Sequence, residues 1–363
     1  MAKVQLPAIR YLTLEAIDSA MEAAQDTTPR PYLGMSSVGF ACSRKPWLDF
    51  RFASETIFKA ATLRKFEDGH ITESVQADRL RLVKGVRVVT EGSNGKQVGF
   101  TDHNGHFRGH MDGGILGLIE APKTWHVWEH KATEDKKKNV LEKLISQDEK
   151  TALELWDDTY FAQAQLYMHY SKMKRHFLTC SSPGARTVIS CRTDYQSKVA
   201  EELVALAHSI ITTDAIPDKI SEDPEYFMCK HMCSNGAICH GTDVPRVTCR
   251  SCVHASASTS AGTEGEWHCA HHKRFLSVSE QHAACEDHIY LPVLLTKFAN
   301  VVDADEYDNT ITYQNHLNGK QFNNGKHKGH ATSAEIFACA DKRILGDEDA
   351  AAIKDFFDGK IVG

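Results

Sequence analysis

Read as hydrophobic and polar positions, the chain interleaves helical and strand patterns throughout. Residues 10–30 carry a helical pattern that TTPRP at 27–31 stops, because proline removes a donor and restricts the residue before it. A loop with Ser36, Ser37 and Cys42 follows. GHITESVQADRLRLV predicts a helix over 69–83, with Ile71, Val75 and Leu82 near one face, Glu73 in its first turn and Gly85 as its stop. Four β-rich segments come next, VRVVTEG, KQVGFTD, HFRGHMDGGILGLIE and WHVWEHKAT, expected as a meander in one sheet. DKKKNVLEKLISQDEK and TYFAQAQLYMHYSKM predict helices, HFLTC and RTVISCRT strands around a Pro-Gly turn, and 195–213 a further helix through Val199, Leu203, Leu206 and Ile210. From Cys229 to Cys285 the pattern is loop-like, with Ala255 to Gly265 of linker character, and 290–363 mixes short strands with a final helix at DEDAAAIKDFF. The expected class is α/β, a mixed central sheet flanked by helices. Its divisions are an N-terminal helical segment (1–35), a core (36–240), a cysteine-rich insert (241–290) and a small C-terminal α+β module (291–363).

The composition is that of a globular protein: 42% hydrophobic and 25% charged, which excludes disordered, collagen-like and membrane-embedded chains. No segment predicts a signal peptide or membrane span, so a cytoplasmic location is expected. Eleven cysteines and 20 histidines change the picture, because an odd cysteine count without a secretory signal argues for metal ligation over disulfides. The net charge of −6 does not decide for or against nucleic acid, since an enzyme that binds metal on carboxylates can be basic only along its groove. No Gly-x-x-x-x-Gly-Lys-Ser/Thr phosphate loop occurs, so neither a nucleotide cofactor nor a motor is expected within this chain.

The sharpest chemical feature pairs GHMDGG with WEHKAT. Glu129 and Lys131 are two apart on a predicted strand and therefore share a face, with Asp112 near the end of a neighbouring strand. Oxygen ligands beside an ammonium suit a hard divalent cation and a water nucleophile, the chemistry of phosphodiester hydrolysis.

In these residues the sequence resembles the PD-(D/E)xK nuclease superfamily, and within it the RecB-like exonucleases. Four pieces stand in order: G-x-x-x-E at Gly69 to Glu73, Asp112, E-x-K at Glu129 to Lys131, and Q-x-x-x-Y at Gln163 to Tyr167. The resemblance implies a restriction-endonuclease-like core over 36–240. It implies Asp112 and Glu129 as ligands of Mg²⁺ or Mn²⁺, with Glu73 or His70 completing the set. Lys131 would be the catalytic lysine, and Gln163 and Tyr167, one helical turn apart, would orient substrate or carboxylates. DNA with a free end is the implied partner, with a separate recombination or helicase protein as a further one. The stand-alone nuclease with an extra module is similar to nucleases that phages encode for recombination or for degrading host DNA, which would place it in host cytoplasm. His106, His110, His126 and His130 read as ordinary strand histidines.

Cys42 precedes the core, and Cys229, Cys233 and Cys239 follow it. The CRISPR-associated and AddB types of RecB-like nuclease are similar here, and imply a 4Fe-4S cluster clasping both ends of the domain. C-x-x-x-C stands where C-x-x-C is usual, His231 is a possible substitute ligand, and a zinc ion on the same residues is the competing reading. Cys249, Cys252, Cys269 and Cys285 read as a structural zinc ribbon, with His268, His271 and His288 as alternate ligands. Cys180, Cys191 and Cys339 read as core residues. Arg44, Lys45, Trp47, Arg79, Arg81 and Lys136 to Lys138 could line a DNA groove, and Trp125 and Trp128 read as packing residues.

The function expected is a metal-dependent DNA exonuclease in recombination, repair or degradation. The alternative is a non-catalytic nucleic-acid-binding or assembly protein on a nuclease-like scaffold; a cysteine redox protein fits less well, because no thioredoxin-like βαβ pattern adjoins Cys249 and Cys252.

Overall fold

The computed structural model describes residues 10–241, 243–260, 262–357 and 359–362; residues 1–9 of the expected N-terminal segment lie outside them. In chain order the elements are α1 (Leu12–Ala24), β1 (Leu33–Gly34), α2 (Arg44–Phe50), α3 (Ala60–Arg81), β2 (Arg87–Val89), β3 (Gly99–Asp102), β4 (Phe107–His110), β5 (Gly113–Leu116) and β6 (His126–Ala132). Then come α4 (Asp135–Gln147), α5 (Ala152–Trp156), α6 (Asp158–Ser171), β7 (Arg175–Ser181), β8 (Val188–Asp194) and α7 (Ser197–Thr212). The cysteine-rich part holds α8 (Phe227–His231), α9 (Gly236–His240), β9 (Ala255–Ala257), β10 (Trp267–Cys269), β11 (Arg274–Leu276) and α10 (Val278–His282). The chain finishes with β12 (Ala299–Asp305), β13 (Thr310–Asn315), β14 (Gln321–Asn324), α11 (Ser333–Ala338) and α12 (Glu348–Phe357).

The central sheet has five strands in the order β2-β5-β6-β7-β8. Only β6 and β7 run parallel in it, and a parallel neighbour requires a crossover, which α4, α5 and α6 provide. The expected single meander is two sheets instead. β4 pairs with β1 on one side and β3 on the other in a separate three-stranded sheet, and HFRGHMDGGILGLIE is not one strand but β4 and β5, divided at Met111 and Asp112. A segment that changes sheets cannot keep one ladder, so Asp112 sits at the crossing point.

The third helix also differs from expectation. α3 begins at Ala60, so Gly69 lies inside it and Glu73 projects from its middle rather than its first turn. Ile71, Val75 and Leu82 face solvent, while Thr72, Gln76 and Ala77 are buried. Small side chains on the sheet-facing side bring the helix close to the strands, and the buried Thr72 hydroxyl is satisfied by the carbonyl of Asp68 at 2.7 Å.

One hydrophobic cluster runs from Leu33 through Trp47, Phe107, Tyr167 and Trp267 to Tyr313 and Leu345, so the cysteine-rich and C-terminal segments share a core with the strands around Asp112. The expected linker is part of this packing. The His106 ring pairs with the Ser258 carbonyl at 3.0 Å, and the Gly265 amide donates to the Asn104 carbonyl at 2.9 Å. Gly105, at φ +89°, is required there, because a Cβ would stand 2.2 Å from the Thr263 carbonyl oxygen. No helix among the described residues is long and apolar enough to cross a membrane.

Candidate active site

β6 is the spine of the site. Its alternation places Glu129 and Lys131 on one face, as the spacing predicts, and His130 on the other, where its ring meets Thr179 Oγ1 at 3.0 Å and Ser181 Oγ at 3.2 Å. Lys131 Nζ donates to Glu129 Oε2 at 2.8 Å, and the Glu129 side chain is 2% exposed. The other carboxylate oxygen, Oε1, accepts from the backbone N–H of Asp112 at 3.2 Å. Asp112 Oδ2 in turn accepts from the backbone N–H of His130 at 2.8 Å. The sheet-crossing residue is thus stitched to β6 by reciprocal bonds, each using a backbone donor that cannot swing away.

The charges are unbalanced. Glu73, Asp112 and Glu129 face one ammonium, Lys131. Burial, then the Asp112 carboxylate, raises the Glu73 pKa from 4.5 to about 7. Burial also raises Asp112, and burial followed by repulsion from Asp112 raises Glu129. Burial opposes the Lys131 ammonium, but the Glu129 and Asp112 carboxylates outweigh it, so the lysine holds its proton more firmly than in water. Buried carboxylates that resist ionisation gain most from a cation, so the donor set fits a divalent ion.

Glu73 and Asp112 line an open cleft of about 830 Å³ together with His70, Gln163 and Tyr167. Gln163 Nε2 donates to the Tyr167 hydroxyl at 3.0 Å, one helical turn apart on α6. The Tyr167 ring packs closely on Gly109 of β4, where a Cβ would come within 2.7 Å of it. The structure therefore brings together Glu73, His70, Asp112, Glu129, Lys131, Gln163 and Tyr167.

The expected basic lining is only partly right. Arg81 lines the cleft, held by Asp78 at 2.8 Å and Thr90 Oγ1 at 3.0 Å. Arg79 turns away to the Ala185 carbonyl, Trp47 is buried, and Lys138 is buried on α4. Arg44 and Lys45 line a cysteine pocket instead. The cleft's other cations are Arg30 and Arg108, which the sequence reading missed, and His110 lines it rather than packing as a strand histidine. Arg108 and His110 were findable, since period two puts them on one face of the strand leading to Asp112. Arg30, between two prolines, carries no periodic signal.

Cys42, Cys229, Cys233 and Cys239 line one pocket walled by Phe40, Leu48 and Met228, and the histidine on its wall is His240, not His231. Cysteines from opposite ends of the core line this one pocket, a donor set of the kind that holds a thiolate-bound metal group. Cys249, Cys252, Cys269 and Cys285 line a second pocket with His271 and His288, while His268 is absent from its walls. The His288 ring is engaged by the Thr248 carbonyl at 3.0 Å and Ser251 Oγ at 3.2 Å. Burial, then Cys285 and Cys269, pushes the Cys249 thiol up to about 11, a repulsion that a shared cation removes. Cys180, Cys191 and Cys339 are buried core residues, as expected.

No family model and no curated protein matches the chain. Among solved structures it is similar to LHK-Exo, an alkaline exonuclease from Laribacter hongkongensis, at 14% identity over 53% of this chain and 90% of that one, with a TM-score of 0.34. The same protein in complex with dAMP gives 14% identity over 49% and 85%, with a TM-score of 0.33. The protein SSO0001 gives 13% identity over 63% and 95%, also with a TM-score of 0.33.

Proposed function

We propose that this protein is a metal-dependent nuclease that hydrolyses phosphodiester bonds of DNA. The observation that carries the reading is the Asp112–Glu129–Lys131 network beside Glu73 at an open, arginine-lined cleft. Mg²⁺ or Mn²⁺ held by Glu73, Asp112 and Glu129 would supply Lewis acidity at the phosphate and ionise the attacking water. Lys131 presents a fixed positive charge to the oxygen that gains negative charge as the bond breaks. Gln163 and Tyr167 orient the substrate strand, and Arg30, Arg81 and Arg108 receive its phosphates. The resemblance to RecB-like enzymes supports the finer reading: an exonuclease acting from a free end in recombination, repair or DNA degradation, in cytoplasm, alongside a helicase or recombination partner and of phage type. Cys42, Cys229, Cys233 and Cys239 would hold a 4Fe-4S cluster, or zinc, that ties Cys42 to α8 and α9. Cys249, Cys252, Cys269 and Cys285 would hold structural zinc.

The test is digestion of linear and circular, single- and double-stranded DNA with Mg²⁺ or Mn²⁺. Linear DNA is degraded, circles survive, and Asp112→Asn protein is inactive. Metal-replete protein that cleaves no substrate would move the reading to a non-catalytic nucleic-acid-binding protein.

A pH dependence follows from Glu73. Its folded pKa of about 7 lies above its ordinary 4.5, so folding favours the protonated form. The metal-free protein therefore loses this contribution as pH rises from about 4.5 to about 7, and a bound cation restores it above that range. The rise in Tm produced by Mn²⁺ is expected to be larger at about pH 8 than at about pH 6. Equal shifts at both would contradict the assignment of Glu73.

A further inference from the structure

The second cysteine pocket holds more donors than a zinc ribbon uses. Its walls carry the thiols of Cys249, Cys252, Cys269 and Cys285, and beside them the side chains of His271, His272 and Asp287. The ligand atoms of these last three lie within 4.8 Å of one another. His271 Nε2 stands 3.7 Å and His272 Nε2 3.6 Å from the same oxygen, Asp287 Oδ2. Both separations are too long for a hydrogen bond. They are close to the edge of a coordination tetrahedron, about 3.4 Å for bonds of about 2.0–2.1 Å. His272 Nε2 also lies 3.4 Å from Cys285 Sγ, near the spacing of a nitrogen and a sulfur on one zinc ion.

The surroundings orient this group. Lys326 holds the other carboxylate oxygen, Asp287 Oδ1, which leaves Oδ2 turned to the imidazoles. The backbone N–H of His272 donates to Cys269 Sγ at 3.4 Å, so the turn that carries both histidines is registered against the thiol cluster. Four thiols, two imidazoles and a carboxylate exceed the four ligands one tetrahedral ion accepts. Four thiolates and a carboxylate also carry more negative charge than one divalent ion offsets.

We propose that the pocket is a two-ion site, in which His271, His272 and Asp287 bind a second zinc-class ion beside the one on the cysteines. The proposal concerns metal content and is independent of the nuclease reading. Any metal in the pocket of Cys42 is common to all variants and cancels.

The test compares zinc-replete full-length protein with its His271→Asn/His272→Asn variant, by zinc count per chain and by alkylation of Cys249 and Cys252. The variant is expected to lose one zinc per chain and to keep both cysteines protected until a chelator is added. An unchanged zinc count would overturn the proposal. So would Cys249 and Cys252 becoming as reactive in the variant as in chelator-treated wild type, because the histidines would then serve the same single ion as the thiols. Asp287→Asn, which keeps the side chain's shape, gives the same comparison should the double variant fold poorly.

Discussion

Lys131→Ala protein is expected to hydrolyse DNA about 10²- to 10³-fold more slowly in kcat, the loss typical when one fixed charge-stabilising group is removed. Lys131 is positioned for this, since Glu129 Oε2 at 2.8 Å fixes its ammonium and Glu129 is itself held by the Asp112 amide. The loss should fall on turnover rather than on DNA binding, because the arginines proposed to receive phosphates, Arg30, Arg81 and Arg108, line the cleft separately. Glu129→Gln should cost a similar amount, and the double variant little more than either single one, since residues that act as a unit are not additive. Single-turnover digestion of end-labelled linear DNA at saturating Mn²⁺ measures this. Undiminished activity in Lys131→Ala would remove the lysine from the mechanism.

The largest effect on stability is expected at Arg250, which sits between Cys249 and Cys252 and is 1% exposed. Its guanidinium donates to the Phe50 carbonyl at 2.8 Å, the Pro31 carbonyl at 2.7 Å and Gln281 Oε1 at 2.6 Å. Phe50, Phe52 and Trp267 stack around it, with Phe52 at 4.1 Å. One side chain therefore joins the cysteine-rich segment to Pro31, beside the cleft residues Arg30 and Tyr32, and to the end of α2. Arg250→Ala leaves two buried acceptors and one part-buried acceptor unpaired and a cavity among three rings, and should cost about 3–5 kcal/mol in chemical denaturation. Arg250→Lys should recover little of this, because an ammonium cannot span the planar fork of acceptors. A loss below about 1 kcal/mol would show that the segment is held by other contacts.

The legible parts of this protein were those whose signal is local. The helices at 135–147 and 197–212 match their periodicity, because each buries one stripe along its own length, whereas α6 is buried on all sides from Phe161 to Met168. Glu129 and Lys131 share a face because strand geometry alternates, whatever surrounds it, and Gln163 reaches Tyr167 because α6 repeats every turn. The α3 reading failed where packing outranked pattern. Ile71 and Val75 suggested a buried apolar face, but the close approach to the sheet selected Thr72 and Ala77.

Residue type and order alone determined the carboxylate, lysine and glutamine elements of the candidate site, and the two groups of four cysteines, since these depend on chemistry and short spacing. Tertiary structure decided where they stand. It split one apparent strand at Asp112 and turned that residue onto Glu129, and it brought Cys42 to Cys239 across the core. It brought Arg30 and Arg108 into the cleft, and gathered His271, His272 and Asp287 beside the cysteines. These are contacts between residues far apart in the chain or on different sheets. Such contacts follow from how whole elements pack, and no local periodicity encodes them.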